Sequence, residues 1–368
     1  MQLSGLAWRL ATRVFPARPL GVFRAAIGLA AVVHGFDLAA LLARQEDGFA
    51  FGTLTLAHGI WPLFAALWFA GAGCLLVGYR SRWAAFFIAA LTALLFLLGA
   101  DVYSNHLYYL ATLALLLSLT DCGAYASIDA RGEPTVERVW GLPVLLIQVQ
   151  VSVVYLFSAI GKLNFDFLLG NVLFFRAQDA FVLPDPQGIA YVALFMALAI
   201  GATALELFIA IGLWFAKLRP IAFASGLALH AGMILMLSNS PQRFGRLAIF
   251  ALLTLASYLL FVRAPAGGRV VVWDGRSSFD AAWVRRFERL DWLGALRVTT
   301  DESVDGLRLV DLDGTRHSGF DAVRRVLGVL PVSFLWAPYL ALRPVRSIAE
   351  RRYRRAAGQA TPPAEVTA

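Results

Sequence analysis

The sequence contains a series of apolar segments about as long as a lipid bilayer is thick. A helix needs about 20 apolar residues to cross the hydrocarbon core, because each residue adds about 1.5 Å along the axis. Lipid offers no partner to an unpaired backbone amide, so such segments must be helical. About eight are recognisable, over residues 20–42, 59–79, 83–100, 104–120, 142–161, 189–215, 220–238 and 245–262. The sequence therefore predicts a polytopic transmembrane helical bundle in residues 1–263, with a short fourth span that is broken or enclosed by its neighbours.

The balance of apolar and charged residues agrees with a chain that lies mostly in lipid. Apolar residues make up 59% of the chain and charged residues 15%, a composition that water cannot solvate throughout. The net charge of +8 would also suit a nucleic-acid partner, but arginine beside membrane spans is ordinarily the signal that holds loops in the cytoplasm. We therefore expect the lipid bilayer as a partner and no nucleic acid.

The short loops between the predicted spans indicate the orientation of the chain, because basic loops stay in the cytoplasm. The first span is longer than a signal-peptide core and is expected to be retained. With the N-terminus inside, the inner loops carry more basic residues than the outer ones: Arg9, Arg13, Arg18, Arg80, Arg82, Arg131, Arg138, Lys217 and Arg219, against Arg44, Lys162, Arg176, Arg243 and Arg246. An even number of spans then returns the C-terminal domain to the cytoplasm. The expected location is a bacterial inner membrane.

The C-terminal part has a different pattern. Residues 270–273 form a short β-like run, residues 279–293 repeat apolar positions at helical spacing, and residues 307–310 alternate as a strand does before the turn at Asp313-Gly314. These features predict a small α+β domain over residues 268–356, followed by a disordered tail over 357–368. The basic run at residues 351–355 is interpreted as a solvated or headgroup-facing helix end.

Ionisable side chains inside apolar spans are functional candidates, since burying them in lipid is costly. Taken singly, each is explained by an interhelical hydrogen bond or salt bridge that fixes packing. Together they are too many for packing alone: Arg24, His34, Asp37, His106, Lys162, Glu206 and His230. Cys74 and Cys122 stand alone at no metal or redox spacing, so no metal site is expected.

Lys162 is the sharpest of these candidates because it ends an apolar span. Such a lysine either extends to the membrane interface or is desolvated, and desolvation favours a neutral amine that can take a proton. Asp166, four residues further on, is a carboxylate that would instead keep the amine charged.

Several short motifs follow one another along the apolar residues 20–262. They are Phe23-Arg24 with Gly28, Gly78-Tyr79-Arg80, Ser104-Asn105-His106 before Tyr108-Tyr109, Ser127-Ile128-Asp129, Val154-Tyr155 with Gly161-Lys162 and Gly170, Leu205-Glu206, and Leu229-His230. In this order, over residues 20–262, they resemble the vitamin K-dependent gamma-carboxylase family, which includes bacterial proteins with a horizontally transferred transmembrane (HTTM) domain.

The resemblance implies an enzyme, a lyase, that uses a vitamin K or menaquinone-type hydroquinone with O2 and CO2. Lys162 would be the base that activates the hydroquinone and His106 its hydrogen-bonding partner. The oxygenated quinone would remove a γ-proton from a glutamate side chain, and the carbanion would take up CO2. The resemblance also places Asn105, Tyr155, Arg24, His230 and Glu206 at the cofactor.

Animal members of that family carry a large domain that engages the glutamate-rich substrate, and this sequence has no counterpart to it. Whether the substrate is a peptide or protein is therefore an open question. The alternative is a non-catalytic membrane partner or maturation factor. Its polar residues would only fix the bundle, and its tail would dock another protein.

The C-terminal domain resembles a second family, the DCC-type (DUF393-like) thioredoxin-like thiol-disulfide oxidoreductases. Asp274-Gly275, Asp313-Gly314 and the closing residues 351–353 match its layout, but Ser277 and Asp280 occupy the two cysteine positions. Thiol-disulfide exchange needs a thiolate, which neither side chain supplies. We therefore expect a redox-inactive domain that serves docking or regulation.

Overall fold

The computed structural model describes most of the chain as two units, Met1–Phe261 and Val262–Ala368. This division lies close to the domain boundary predicted at residue 263. The tail predicted at 357–368 lies outside the described residues from 358 onward. The described residues are 12–43, 49–51, 54–56, 61–98, 103–134, 136–180, 188–238, 241–262, 268–291, 294–330, 333 and 337–357.

A helix lies at each of the eight predicted spans of the first unit, and two shorter helices follow the fifth. In chain order the helices are α1 Ala17–Ala43, α2 Trp61–Val77, α3 Ser81–Leu98, α4 Asn105–Ser118, α5 Leu142–Gly161, α6 Phe165–Leu168, α7 Asn171–Ala180, α8 Ile189–Gly212, α9 Arg219–Leu237 and α10 Pro241–Ser257, which continues as a 3-10 turn over Tyr258–Phe261.

Five of these helices are long and apolar enough to cross a bilayer. Within the described residues they are Ala17–Ala40, Leu142–Gly161, Ile189–Gly212, Arg219–Leu237 and Phe244–Phe261. The apolar stretches Pro62–Val77 and Ser81–Leu97 are shorter. Helix α4 has 14 residues and reaches only about 21 Å, so it is short, as predicted. The prediction of an integral membrane protein made mainly of helices is confirmed.

The sequence did not predict the small elements between the spans. Strand β1 (Val14–Pro16) pairs antiparallel with β4 (Arg138–Trp140), and β2 (Phe49–Phe51) pairs with β3 (Leu54–Leu56). Asn164 begins α6 because its side-chain oxygen accepts a hydrogen bond from the Phe167 amide at 2.9 Å.

Helices α1 and α2 pack closely over much of their length. A side chain at Gly28 would collide with the backbone of Leu75 and Leu76, so glycine permits the close approach. Trp68 is fully buried, and its indole N–H donates to the Ala31 carbonyl at 2.8 Å.

The C-terminal end of α2 is completed by groups from elsewhere in the chain. The last four carbonyls of a helix lack intrahelical partners. Here the Cys74 carbonyl accepts from the amides of Gly78 and Tyr79, and the Val77 carbonyl accepts from the Ile128 amide. The fully buried Arg24 supplies hydrogen-bond donors to the two remaining carbonyls. Its Nη1 donates to the carbonyls of Leu75 at 2.7 Å and Leu76 at 2.9 Å, and its Nη2 to that of Ala126 at 2.5 Å.

Asp129 holds the start of α3 beside this junction. Its carboxylate accepts from the amides of Arg80 at 2.7 Å and Ser81 at 2.8 Å, and from the Ser81 hydroxyl at 2.8 Å. Burial opposes ionisation of Asp129, but these bonds and the Arg24 charge outweigh it and lower its pKa. The Gly78-Tyr79-Arg80 and Ser127-Ile128-Asp129 motifs thus form, with Arg24, one structural junction, which we call the Arg24 clasp.

The second unit contains a four-stranded mixed sheet and four helices among its described residues, in agreement with the predicted α+β composition. The sheet order is β6-β5-β7-β8; β5 runs parallel to β6 and antiparallel to β7, and β7 runs antiparallel to β8. The strands are β5 Arg269–Trp273, β6 Leu296–Thr300, β7 Arg308–Val310 and β8 Arg316–Ser318, and the helices are α11 Ser278–Leu290, α12 Gly319–Leu327, α13 Ala337–Ala341 and α14 Arg343–Ala356.

This unit has an apolar core of its own. The sheet contributes Val271 and Leu309, and the helices contribute Phe287, Val323 and Val326, all of which are fully buried. The predicted turn at Asp313-Gly314 joins β7 and β8, where Gly314 adopts a φ of +81°, a conformation that glycine permits.

Candidate functional site

Lys162 follows the last residue of α5 and is held by two side chains. Its ammonium group donates to both carboxylate oxygens of Glu206 in α8, at 2.7 and 2.6 Å, and to the Ser158 hydroxyl at 2.6 Å. The Lys162 side chain is 23% exposed and that of Glu206 only 5%. The carboxylate paired with Lys162 is therefore Glu206 from a neighbouring helix, whereas Asp166 is exposed in the first turn of α6.

The three groups form a closed triangle of hydrogen bonds. The Ser158 hydroxyl accepts from Lys162 and donates to Glu206 Oε1 at 3.0 Å. The Phe167 ring lies 5.7 Å from the ammonium nitrogen, a cation–π distance. Lys162 is thus held in an ion pair rather than as an isolated amine. A proton can pass between Lys162 and Glu206 without changing the net charge of the pair.

A second polar group surrounds Tyr155, two helical turns before Lys162 on α5. The Tyr155 hydroxyl lies 2.8 Å from His230 Nε2 and 2.6 Å from the Tyr258 hydroxyl. The Thr254 hydroxyl lies 2.8 Å from the same His230 nitrogen. His230 is 1% exposed, so these contacts lie in the interior of the bundle.

The other ring nitrogen of His230 has no hydrogen-bond partner among the described residues. Nε2 is engaged by Tyr155 and Thr254 in either neutral tautomer, while Nδ1 is buried without a hydrogen-bond partner among the described residues. Buried polar atoms are nearly always paired with protein, water or ligand. A hydroxyl or a carbonyl oxygen would satisfy this nitrogen, which donates or accepts according to the tautomer.

Phe250 lies between His230 and His106. Its ring centroid is 5.7 Å from that of His230, 5.6 Å from that of His106 and 5.8 Å from that of Tyr109. His106 Nδ1 is also buried and unpartnered within the described part of the bundle. Two histidines with open nitrogens therefore flank one aromatic ring.

The polar region continues from His106 toward α1. His34 is 6% exposed, and its Nδ1, like Asp37 Oδ2, is buried with no hydrogen bond to any described residue. Arg246 in α10 interacts electrostatically with His34 and His106, and Asp37 interacts with His106.

The structure brings only some of the predicted site residues together. Lys162 contacts Glu206, and Tyr155 contacts His230, which shares Phe250 with His106. Lys162 and His106 share no hydrogen bond among the described residues. Asn105 is exposed and accepts a hydrogen bond from Tyr103 at 3.3 Å. Arg24 lies in the clasp, ten residues or about 15 Å along α1 from His34.

Sequence reasoning missed Phe250, Thr254 and Tyr258. The sequence gives little indication of their role, because hydroxyl groups and aromatic rings are ordinary in apolar helices. Only their contacts with Tyr155 and His230 distinguish these three residues. Within the described residues, no group of three or more His, Cys, Asp or Glu side chains is arranged to hold a metal ion.

In the second unit, Ser277 and Asp280 lie at the start of α11. The Ser277 hydroxyl accepts from the Asp280 amide at 3.2 Å and caps the helix. Asp280 is 4% exposed and accepts from the Tyr353 hydroxyl at 3.3 Å. Burial raises the pKa of Asp280, and burial together with Asp280 raises the pKa of Tyr353.

Replacing Asp280 with asparagine is expected to change how the stability of the second unit depends on pH. A raised pKa means that the folded state binds this proton more tightly than the unfolded state. The contribution to stability is therefore complete below the ordinary value of about 4 and is lost as the pH rises through the raised pKa. Asp280→Asn should gain stability relative to wild type as the pH rises through this range. Melting temperatures of the full chain in detergent measure this difference, and a difference that does not vary with pH contradicts the prediction.

Comparison with known proteins places the first unit in a family. A family model described as the HTTM domain matches residues 13–265, more than half of the chain. No curated protein and no solved structure matches the sequence.

Proposed function

Because the chain belongs to the HTTM family, we propose that it is an integral membrane enzyme that carries out proton-transfer chemistry on a quinone-type ligand. The observation that carries this proposal is the largely buried Lys162–Glu206 ion pair. Two helical turns before Lys162, Tyr155 hydrogen-bonds His230, whose buried Nδ1 has no partner among the described residues. A quinone partitions into lipid and can reach a site among membrane spans.

Each group has a role that follows from its contacts. His230 Nδ1 and His106 Nδ1 would hydrogen-bond the oxygens of a bound quinone, and either neutral tautomer serves, since a hydroquinone hydroxyl donates and a quinone carbonyl accepts. Phe250, which contacts both histidines, would supply an aromatic surface beside it. Tyr155 and Thr254 fix the orientation of His230 through Nε2.

Lys162 and Glu206 act as one proton-exchanging unit. While the ammonium group is charged, the group free to accept a proton is the Glu206 carboxylate. Transfer of a proton from Lys162 to Glu206 restores a neutral amine as the base. Ser158 bonds to both partners and keeps them aligned during the exchange.

The family resemblance supplies the rest of the chemistry. A bound vitamin K or menaquinone-type hydroquinone would provide, with O2 and CO2, the oxidation that drives gamma-carboxylation. A glutamate-bearing peptide or protein is then the substrate class.

The proposal includes eight spans, with the N-terminus and the second unit in the cytoplasm of a bacterial inner membrane. Helices at all eight predicted positions and the bias of basic residues toward one set of loops support it. In this arrangement Lys162 faces the outer side.

We also propose that the second unit is a redox-inactive, thioredoxin-like docking domain. A parallel β-α-β unit followed by an antiparallel hairpin and a helix supports the resemblance. Ser277 and Asp280 lie at the helix start, where the family has its cysteines, and neither Cys74 nor Cys122 belongs to this unit.

A second candidate function is a non-catalytic membrane partner or maturation factor. The contacts of Lys162 favour this candidate. A lysine that is hydrogen-bonded to a carboxylate and a hydroxyl can stabilise helix packing without taking part in catalysis. The two candidates differ in whether the bundle retains a quinone.

Quinone retention tests the proposed function. We expect menaquinone to co-purify with the wild-type protein and to fall roughly tenfold in His230→Leu, because one hydrogen bond to the ligand is lost in an apolar site. Mass spectrometry of lipid extracts measures the quinone. His317→Gln, a histidine of the second unit, is the matched control and should retain it. Equal retention in His230→Leu, or none in wild type, excludes the quinone site and leaves the non-catalytic candidate.

A further inference from the structure

Helix α14 carries an outward face that combines arginine with aliphatic side chains. Tyr353, on the opposite face, is buried in the core of the second unit. Positions three and four apart share a helix face, which groups these exposed residues on the outward one: Val345, Ile348, Arg351, Arg352 and Arg355.

The residues of α14 that form this outward face include no acidic side chain. Helix α14 contains six arginines and one acid, Glu350, whose carboxylate is taken by Arg354 at 2.5 Å. Arg346 lies 4.0 Å from Asp321 on the inner side. Among the described residues, Arg352 and Arg355 have no ion-pair partner. Val345 is 38% exposed and Ile348 50%, so apolar surface lies between the charges.

We propose that this face of α14 binds the anionic headgroup surface of a lipid bilayer. Arginine pairs with lipid phosphates, and aliphatic groups between basic residues insert at the boundary of headgroups and acyl chains. An acidic protein surface would satisfy the charges but gives less reason for the exposed Val345 and Ile348.

The connection between the two units favours lipid as the occupant. Residues 263–267 join the last turn of the first unit to the second, and a chain of that length spans roughly 20 Å at full extension. A bilayer that holds the spans of the first unit is therefore always within reach, at high effective concentration.

Fluorescence of the full chain in nanodiscs tests the proposal. A Val345→Cys variant in a Cys74→Ala background is labelled with an environment-sensitive dye; Cys122 is buried and is not expected to react. We expect blue-shifted emission, quenched by doxyl-labelled lipid, in nanodiscs of phosphatidylcholine with phosphatidylglycerol, and much weaker quenching in phosphatidylcholine alone. High salt should reduce the effect.

Charge reversal supplies the control. The triple variant Arg351→Glu, Arg352→Glu and Arg355→Glu should lower the docking equilibrium roughly a hundredfold or more, given the contribution of each basic residue near an anionic surface. The matched triple on α11, Arg285→Glu, Arg286→Glu and Arg289→Glu, changes the same charge at exposed positions and should leave docking unchanged. Solvent-like emission on the anionic nanodiscs, or equal quenching in the two lipids, overturns the proposal and leaves the face to an acidic protein partner.

Discussion

Lys162→Ala is expected to destabilise the first unit by about 3–5 kcal/mol. The substitution leaves the Glu206 carboxylate, 5% exposed, without its countercharge, and an uncompensated charge in such a site is costly. Thermal unfolding in detergent measures the loss. Lys217→Ala, in an exposed loop position, is the matched control and should change the melting temperature little.

Neutralising both partners separates stability from chemistry. Lys162→Met with Glu206→Gln removes both charges, so most of the lost stability should return, while base chemistry should not. Reduced vitamin K supplied to proteoliposomes, with epoxide formation as the readout, measures the chemistry. Undiminished epoxide formation by the stable double variant would remove the proton-exchanging role of the pair. A double variant as unstable as Lys162→Ala would show that the pair does not act through charge.

Arg24→Met is expected to cost about 3 kcal/mol or more. The variant leaves the carbonyls of Leu75, Leu76 and Ala126 without donors in a buried site, and each unsatisfied group costs about 1–3 kcal/mol. Arg24→Lys should recover only part of the loss, because an ammonium group cannot reproduce the fork of the guanidinium.

An exposed arginine provides the comparison for Arg24. Arg82 lies 3.7 Å from Asp121, with side chains 59% and 53% exposed, and such surface pairs contribute little. Arg82→Met should therefore melt within a few degrees of wild type. If Arg24→Met has the same melting temperature as Arg82→Met, other groups satisfy the carbonyls of the clasp, and the structural role assigned to Arg24 is wrong.

The helices of the membrane unit could be predicted because segment length and apolar content decide them in lipid. Contacts between helices could not. The sequence places Asp166 four residues from Lys162, yet the ion pair forms with Glu206, 44 positions away, because the packing of α8 on α5 brings that carboxylate to the end of the span. Arg24 was predicted at the cofactor from a motif, and only the fold reveals that its donors end α2.

In the second unit, the sequence predicts some strands but not others. Residues 270–273 and 307–310 have alternating or continuous apolar patterns that predict strands, and both are strands. Strand β6 reads Leu-Arg-Val-Thr-Thr and is half exposed, while β8 has only three residues, so neither carries an apolar signal. Their pairing with β5 and β7 supplies the hydrogen bonds that local sequence cannot reveal.

The Arg24 clasp also bears on how the chain is made. The final turn of α2 needs the Ile128 amide, and Arg24 needs the Ala126 carbonyl, yet both lie about fifty residues after that turn in the sequence and are synthesised later. During insertion into the membrane, the first helical hairpin must therefore wait, incompletely bonded, for the loop that follows α4. A nascent chain arrested before residue 126 should hold its first two helices loosely, and one arrested well after residue 129 should hold them firmly.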